Sequence, residues 1–170
     1  MRMTLLLPVL IAAFLSGCGN DNEVGEFKND FYGNEIKVQA LTDPKVEGVT
    51  CHLTYFDRGV LDRMAKGNWF EDPSNSSIAC RQTGPLRIDD IDLSKDGEMV
   101  FSQRQSLVFK SIGVRRVFDS DNQTLMYIVY SRKPIDGSAK MALSTVALYG
   151  QDVEWINGAP TSTPTPASGL

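Results

Sequence analysis

The chain has 170 residues, with 17 Lys and Arg against 21 Asp and Glu for a formal net charge of −4. That length supports one domain with a real core and would be cramped for two. The acidic balance excludes wholesale nucleic-acid binding, which needs a basic stripe or patch. One histidine and three cysteines, with no C-x-x-C or H-x3-H spacing, offer no metal site.

Residues 1–17 read as a signal peptide: Arg2, an apolar run over 5–15, then the small residues Ser16 and Gly17. The run is too short for the about 20 residues that a membrane-spanning helix needs. Leu15-Ser16-Gly17-Cys18 looks like a bacterial lipobox, so Cys18 is the expected lipid attachment point. Gly19 stands where aspartate would act as an inner-membrane retention signal. The expected address is therefore the outer membrane, facing the periplasm, with the lipid anchor as the contact to the bilayer. Residues 18–30 are polar and acidic and read as a flexible tether. A folded domain is then expected over 31–157.

Residues 35–41 alternate, with Ile36, Val38 and Ala40 on one side and Glu35, Lys37 and Gln39 on the other, the pattern of a half-buried strand. Asp43-Pro44 is a turn signal. Residues 49–56 alternate again, which sends Cys51 toward the core and His52 away from it, so His52 reads as an ordinary exposed side chain. Residues 58–66 form the one short helix, carrying Val60, Leu61 and Met64 at near-helical spacing and stopped by Gly67. Residues 76–83 make a strand that Gly84-Pro85 breaks. Residues 89–98 superficially resemble a calcium loop, but Lys95 replaces the required glycine and Phe101 the bidentate glutamate, so the segment reads as a solvated loop.

Residues 99–112 are β-prone and are interrupted by Gly113. A hairpin follows, its strands at 114–118 and 124–131 joined by a polar connection over 119–123. The stretch 125–130 is apolar on both faces and belongs at the centre of a sheet. Residues 143–148 are expected as the last strand, and 158–170 as a disordered Pro/Thr-rich tail. Seven or so short strands without crossover helices predict an all-β domain, a mainly antiparallel sandwich or partly closed barrel with one short helix.

Chemistry is sparse. Ser106 and Lys110 lack the S-x-x-K spacing of penicillin-binding enzymes, and no glycine-rich phosphate loop or G-x-S-x-G occurs. No cofactor is expected. Asp43, Asp57, Asp89, Asp90 and Asp119 are carboxylates that would need to converge in space for hydrolysis. Cations gather in the second half, at Arg104, Lys110, Arg115, Arg116, Arg132, Lys133 and Lys140. An anion groove built from Arg104, Lys110 and Arg115, with Arg81 beside it, is one reading, since arginine offers a planar fork to carboxylate or phosphate. Outward-facing solubilising charge is the other. Cys51 and Cys80 are either a disulfide, which an oxidising compartment would allow, or two buried thiols.

With these segments laid out, residues 27–149 resemble the CreA family of Gram-negative bacteria. The likeness is carried by Asp43-Pro44-Lys45-Val46 with Val49-Thr50-Cys51, by Ile78-Ala79-Cys80-Arg81-Gln82-Thr83-Gly84-Pro85, by Ser106-Leu107-Val108-Phe109-Lys110-Ser111, by residues 127–131, and by Gly137-Ser138 with Lys140 and Ser144. The resemblance implies an exported protein, a Cys51–Cys80 pair and a mostly β fold, and it implies no activity. The Cys18 lipobox and the Pro/Thr-rich end depart from the plain secretory pattern of many relatives. The expected function is a lipid-anchored, non-catalytic envelope domain that binds a partner protein or small ligand and no nucleic acid. The alternative is an envelope hydrolase using clustered carboxylates.

Overall fold

The computed structural model describes residues 22–31, 33–66, 75–101, 111–132, 134, 137–158 and 160. They form β1 (Glu23–Lys28), β2 (Glu35–Asp43), β3 (Val46–Asp57), α1 (Val60–Lys66), β4 (Ser76–Ile88), β5 (Glu98–Met99), β6 (Ile112–Asp119), β7 (Thr124–Ser131), β8 (Met141–Ala147) and β9 (Val153–Trp155). A five-stranded sheet in the order β1-β2-β3-β4-β9 packs on a four-stranded sheet in the order β5-β6-β7-β8. Every pairing is antiparallel except β4 with β9. The fold is the expected all-β sandwich with one short helix, and β7 is an inner strand as its two apolar faces required.

The interior is made where strand periodicity aims apolar residues inward. Leu41, Val49, Leu53, Ile78 and Ile88 from one sheet meet Ile112, Val114, Phe118, Leu125, Tyr127 and Val129 from the other. Each fully buried Leu, Ile or Val contributes about 1.5–3 kcal/mol. Trp155 closes one end with its ring edge against Phe118, centroids 5.7 Å apart. Cys51 and Cys80 are direct cross-strand partners, both fully buried, and are joined as a disulfide. Ser144 Oγ accepts the Cys80 N–H at 2.8 Å, which ties β8 of one sheet to β4 of the other.

The structure corrects several sequence expectations. Part of the segment expected as a tether is β1, paired with β2; its charges are what edge strands commonly carry, so polarity did not mark it as unfolded. In β2 the two sets alternate as expected, and the structure decides which of them faces inward. Gln39, Leu41 and Asp43 point inward, whereas Ile36, Val38 and Ala40 lie half-buried on the outer face. The helix is similarly turned: Leu61 and Met64 are exposed and Asp62 is buried.

Gly84-Pro85 does not end β4, which runs on to Ile88 through a register shift opposite Gly48. Gly48 has φ +83° and a Cβ there would sit 2.1 Å from the Pro85 carbonyl oxygen, so only glycine fits the bulge. Gly113 does not interrupt a strand but lies within β6, directly beneath the Tyr130 ring. A further strand, β9, follows the one expected as last. Cys18, residues 102–110 with Arg104, Ser106 and Lys110, and the tail beyond 160 lie outside the described residues.

Candidate functional site

Two places gather polar chemistry, one inside the sandwich and one open to solvent. The inner one begins with strand phase: in β6, Val114, Arg116 and Phe118 share the inward face, so an arginine is carried into the core. Arg116 is 1% exposed. A buried guanidinium is tolerable only when paired and hydrogen-bonded, and here Nη1 donates to Asp43 Oδ2 and Nη2 to Glu98 Oε1. Tyr127 on the neighbouring strand donates its hydroxyl to the same Asp43 Oδ2 at 2.9 Å. The other Asp43 oxygen accepts the Lys45 N–H at 2.9 Å across the Pro44 turn. Glu98 is completed by Lys45 Nζ at 2.8 Å and the Asp92 N–H at 3.1 Å.

Two carboxylates thus face two cations in a neutral cluster. Burial, reinforced by the Asp43 charge, pushes the Tyr127 phenol far above its ordinary range, so it stays a hydrogen-bond donor. Burial alone would push Glu98 up as well. Hydrogen bonds from Lys45 and Asp92 and the charge of Arg116 outweigh that and hold it below the ordinary glutamate value. A carboxylate whose folded-state pKa is depressed stabilises the fold fully above its unfolded-state value of 4.5, and that stabilisation is lost as pH falls through the folded-state value. The urea midpoint of a Glu98→Gln variant is therefore expected to lie below that of the parent at neutral pH. The gap should close as both are titrated downward from pH 4.5 through the lowered folded-state value, and a gap independent of pH would contradict this.

The five aspartates considered for hydrolysis do not converge. Asp43 enters the core. Asp57 stands 3.5 Å from Lys37, beside Glu23, Glu26 and Glu35. Asp89 accepts from Asn157 Nδ2 at 2.9 Å, Asp90 is exposed, and Asp119 caps its own turn through Asn122. His52 is exposed on the outer face of the five-stranded sheet. Of the arginines suggested for an anion groove, Arg81 pairs across from Thr50 on the outer face of the five-stranded sheet. Arg115 is on the outer face of the four-stranded sheet and donates to the Asp96 and Gly97 carbonyls. The two are on opposite sides of the sandwich.

Sequence reading passed over Arg116 and Glu98 as ligands of one cluster. The signal was present in the Val114-x-Arg116-x-Phe118 phase, which places the arginine on the apolar face of its strand.

The open place is a groove of about 460 Å3 at one end of the five-stranded sheet, lined by Ile36, Thr54, Tyr55, Phe56, Asn75, Ser76 and Ser77. It combines two large apolar side chains with hydroxyl and amide groups, and its volume lies within the range of small-molecule sites. Tyr55 is oriented by Gln39, whose Nε2 donates to the phenol oxygen at 3.0 Å. Lys140 reaches in from the other sheet to donate to Asn75 Oδ1 at 2.8 Å, setting one positive charge beside the groove.

The family model described as CreA protein matches residues 24–151. Protein CreA of Escherichia coli strain K12 is 36% identical over 154 residues, which cover 86% of this chain and 96% of that protein. Protein CreA of Escherichia coli O157:H7 matches to the same extent. No solved structure matches.

Proposed function

The chain belongs to the CreA family, and from that premise we propose that it is a lipid-anchored, periplasm-facing envelope protein whose domain is a non-catalytic module for an amphipathic small ligand. The groove carries this reading: Ile36 and Phe56 offer an apolar bed, Thr54, Ser76 and Ser77 offer hydroxyls, and Lys140 a positive charge for an anionic end. Of the carboxylates that the fold brings together, Asp43 and Glu98 spend their lone pairs on Arg116, Lys45, Tyr127 and backbone N–H groups, and Glu23, Glu26, Glu35 and Asp57 gather on Lys37 away from the groove lining, which favours binding over hydrolysis there. The lipobox at Cys18 supports export and anchoring, and the buried Cys51–Cys80 disulfide is in keeping with an oxidising compartment. No helix among the described residues is long and apolar enough to cross a membrane.

Ser77 is exposed at the groove, so Ser77→Trp would fill it without touching the core. Native mass spectrometry of protein extracted from envelopes is expected to show a small bound molecule in the parent and its loss in Ser77→Trp, with the thermal midpoint of the empty protein unchanged. An equal ligand load in both proteins, or none in either, would refute the groove as the binding site.

A further inference from the structure

We propose that the end of the sandwich carrying Phe27, Phe31, Leu61 and Met64 rests on the phospholipid surface to which Cys18 is attached. This rests on the lipid-anchor reading above and adds an orientation to it. All four side chains are more than half exposed: Phe27 56%, Leu61 64%, Met64 59%, and Phe31 fully. They are held at one end by covalent and hydrogen-bonded continuity. Phe27 pairs across β1 and β2 with Ile36, and Ile36 with Phe56, giving an apolar row on the outer face of the sheet.

The loop from Asn29 to Asn34 then carries Phe31 to the start of α1. There the Gly59 N–H donates to Asn34 Oδ1 at 3.0 Å, and Asn34 Nδ2 donates to Asp30 at 2.6 Å. The helix presents Leu61 and Met64 outward, and among its described side chains the buried one is Asp62, bound to Arg58 Nε at 2.8 Å. An ionic inner face with an apolar outer one is the inverse of an ordinary surface helix and matches helices that lie in a membrane interface.

Chain length selects the occupant. Only residues 19–22 separate Cys18 from β1, so Glu23 lies within about 18 Å of an acylated Cys18 even when the intervening chain is fully extended. The strand that leads to Phe27 is therefore held close to the headgroup layer. Charge agrees with this placement. Glu26 pairs with Lys37 on the opposite face of β1 and β2 from Phe27, where Glu23, Glu35 and Asp57 also surround that lysine. Lys28 pairs with Glu35 on that same far face, so the charged side chains of β1 are turned away from the apolar row. Of the remaining exposed apolar side chains, Met141 and Leu143 are on the outer face of the opposite sheet, one sandwich thickness away.

The test places the photo-crosslinker benzoylphenylalanine in the full chain at position 27 and, in a second strain, at position 143, with irradiation of intact cells. The mass of the N-terminal peptide from the same samples reads acylation of Cys18. The expected result is an acylated Cys18, a mass shift of one phospholipid at position 27 and none at 143. An acylated protein whose position 27 yields a dimer, a protein adduct or no adduct overturns the orientation alone. A Cys18 without acyl chains overturns the anchor reading and the orientation with it.

Discussion

Replacing Arg116 with methionine is expected to cost about 3–5 kcal/mol of folding free energy, the usual cost of removing one partner from a buried ion pair. Methionine keeps an apolar stem in place of the arginine's but leaves the fully buried Asp43 carboxylate without its cation, holding only the Tyr127 hydroxyl and the Lys45 N–H. Glu98 suffers less, because it is partly exposed and keeps Lys45. The measurement is equilibrium urea unfolding, with a thermal midpoint expected to fall by roughly 10–20 °C. Adding Asp43→Asn to Arg116→Met should recover part of the loss, since the unpaired charge is then gone. The double variant should be more stable than the sum of the single changes predicts, by about 1–3 kcal/mol. Strict additivity would mean that the cluster is not held together by its charges.

The second large effect is expected at the disulfide. Cys51 and Cys80 are 29 residues apart in sequence, and opening a loop of that size frees unfolded-chain entropy worth about 3.5 kcal/mol. A Cys51→Ala, Cys80→Ala variant should lose that amount in urea unfolding, with a further loss from the two small cavities left in a fully buried position. Because both sulfurs are inaccessible in the folded protein, thiol alkylation after mild reductant is expected only at denaturant concentrations that open the β3–β4 pairing. A double alanine variant as stable as the oxidised protein would show that the bond contributes nothing.

Strand alternation made much of the fold readable. Val49, Cys51, Leu53 and Tyr55 form the inward face of β3 as their spacing required, with His52 outside, because side chains of a strand alternate whatever lies opposite. The hairpin β6–β7 and the central place of β7 were readable for the same reason, together with the polar turn between them. In β2 the alternation was visible but its sense was not. Which set faces inward depends on pairing register, and there Gln39 and Leu41 are opposite Leu53 and Cys51. The candidate groove was not readable at all. Ile36, Phe56 and Ser77 come from three strands and Lys140 from the other sheet, and no spacing within one strand indicates such a meeting.

What the sequence by itself determined is the class of fold, the inward turn of Cys51, and the residues that mark a member of the CreA family. These follow from local rules: period-two alternation, turn residues and short contiguous motifs act over a few positions. Only the tertiary structure decided that Arg116 binds Asp43 and Glu98 in the interior, that β2 turns Ile36, Val38 and Ala40 outward, and that α1 exposes Leu61 and Met64. The physical reason is that burial is a property of pairs of surfaces. A charge on a strand costs little or much according to what the opposite sheet offers it, and that partner is 73 residues away in the case of Asp43 and Arg116.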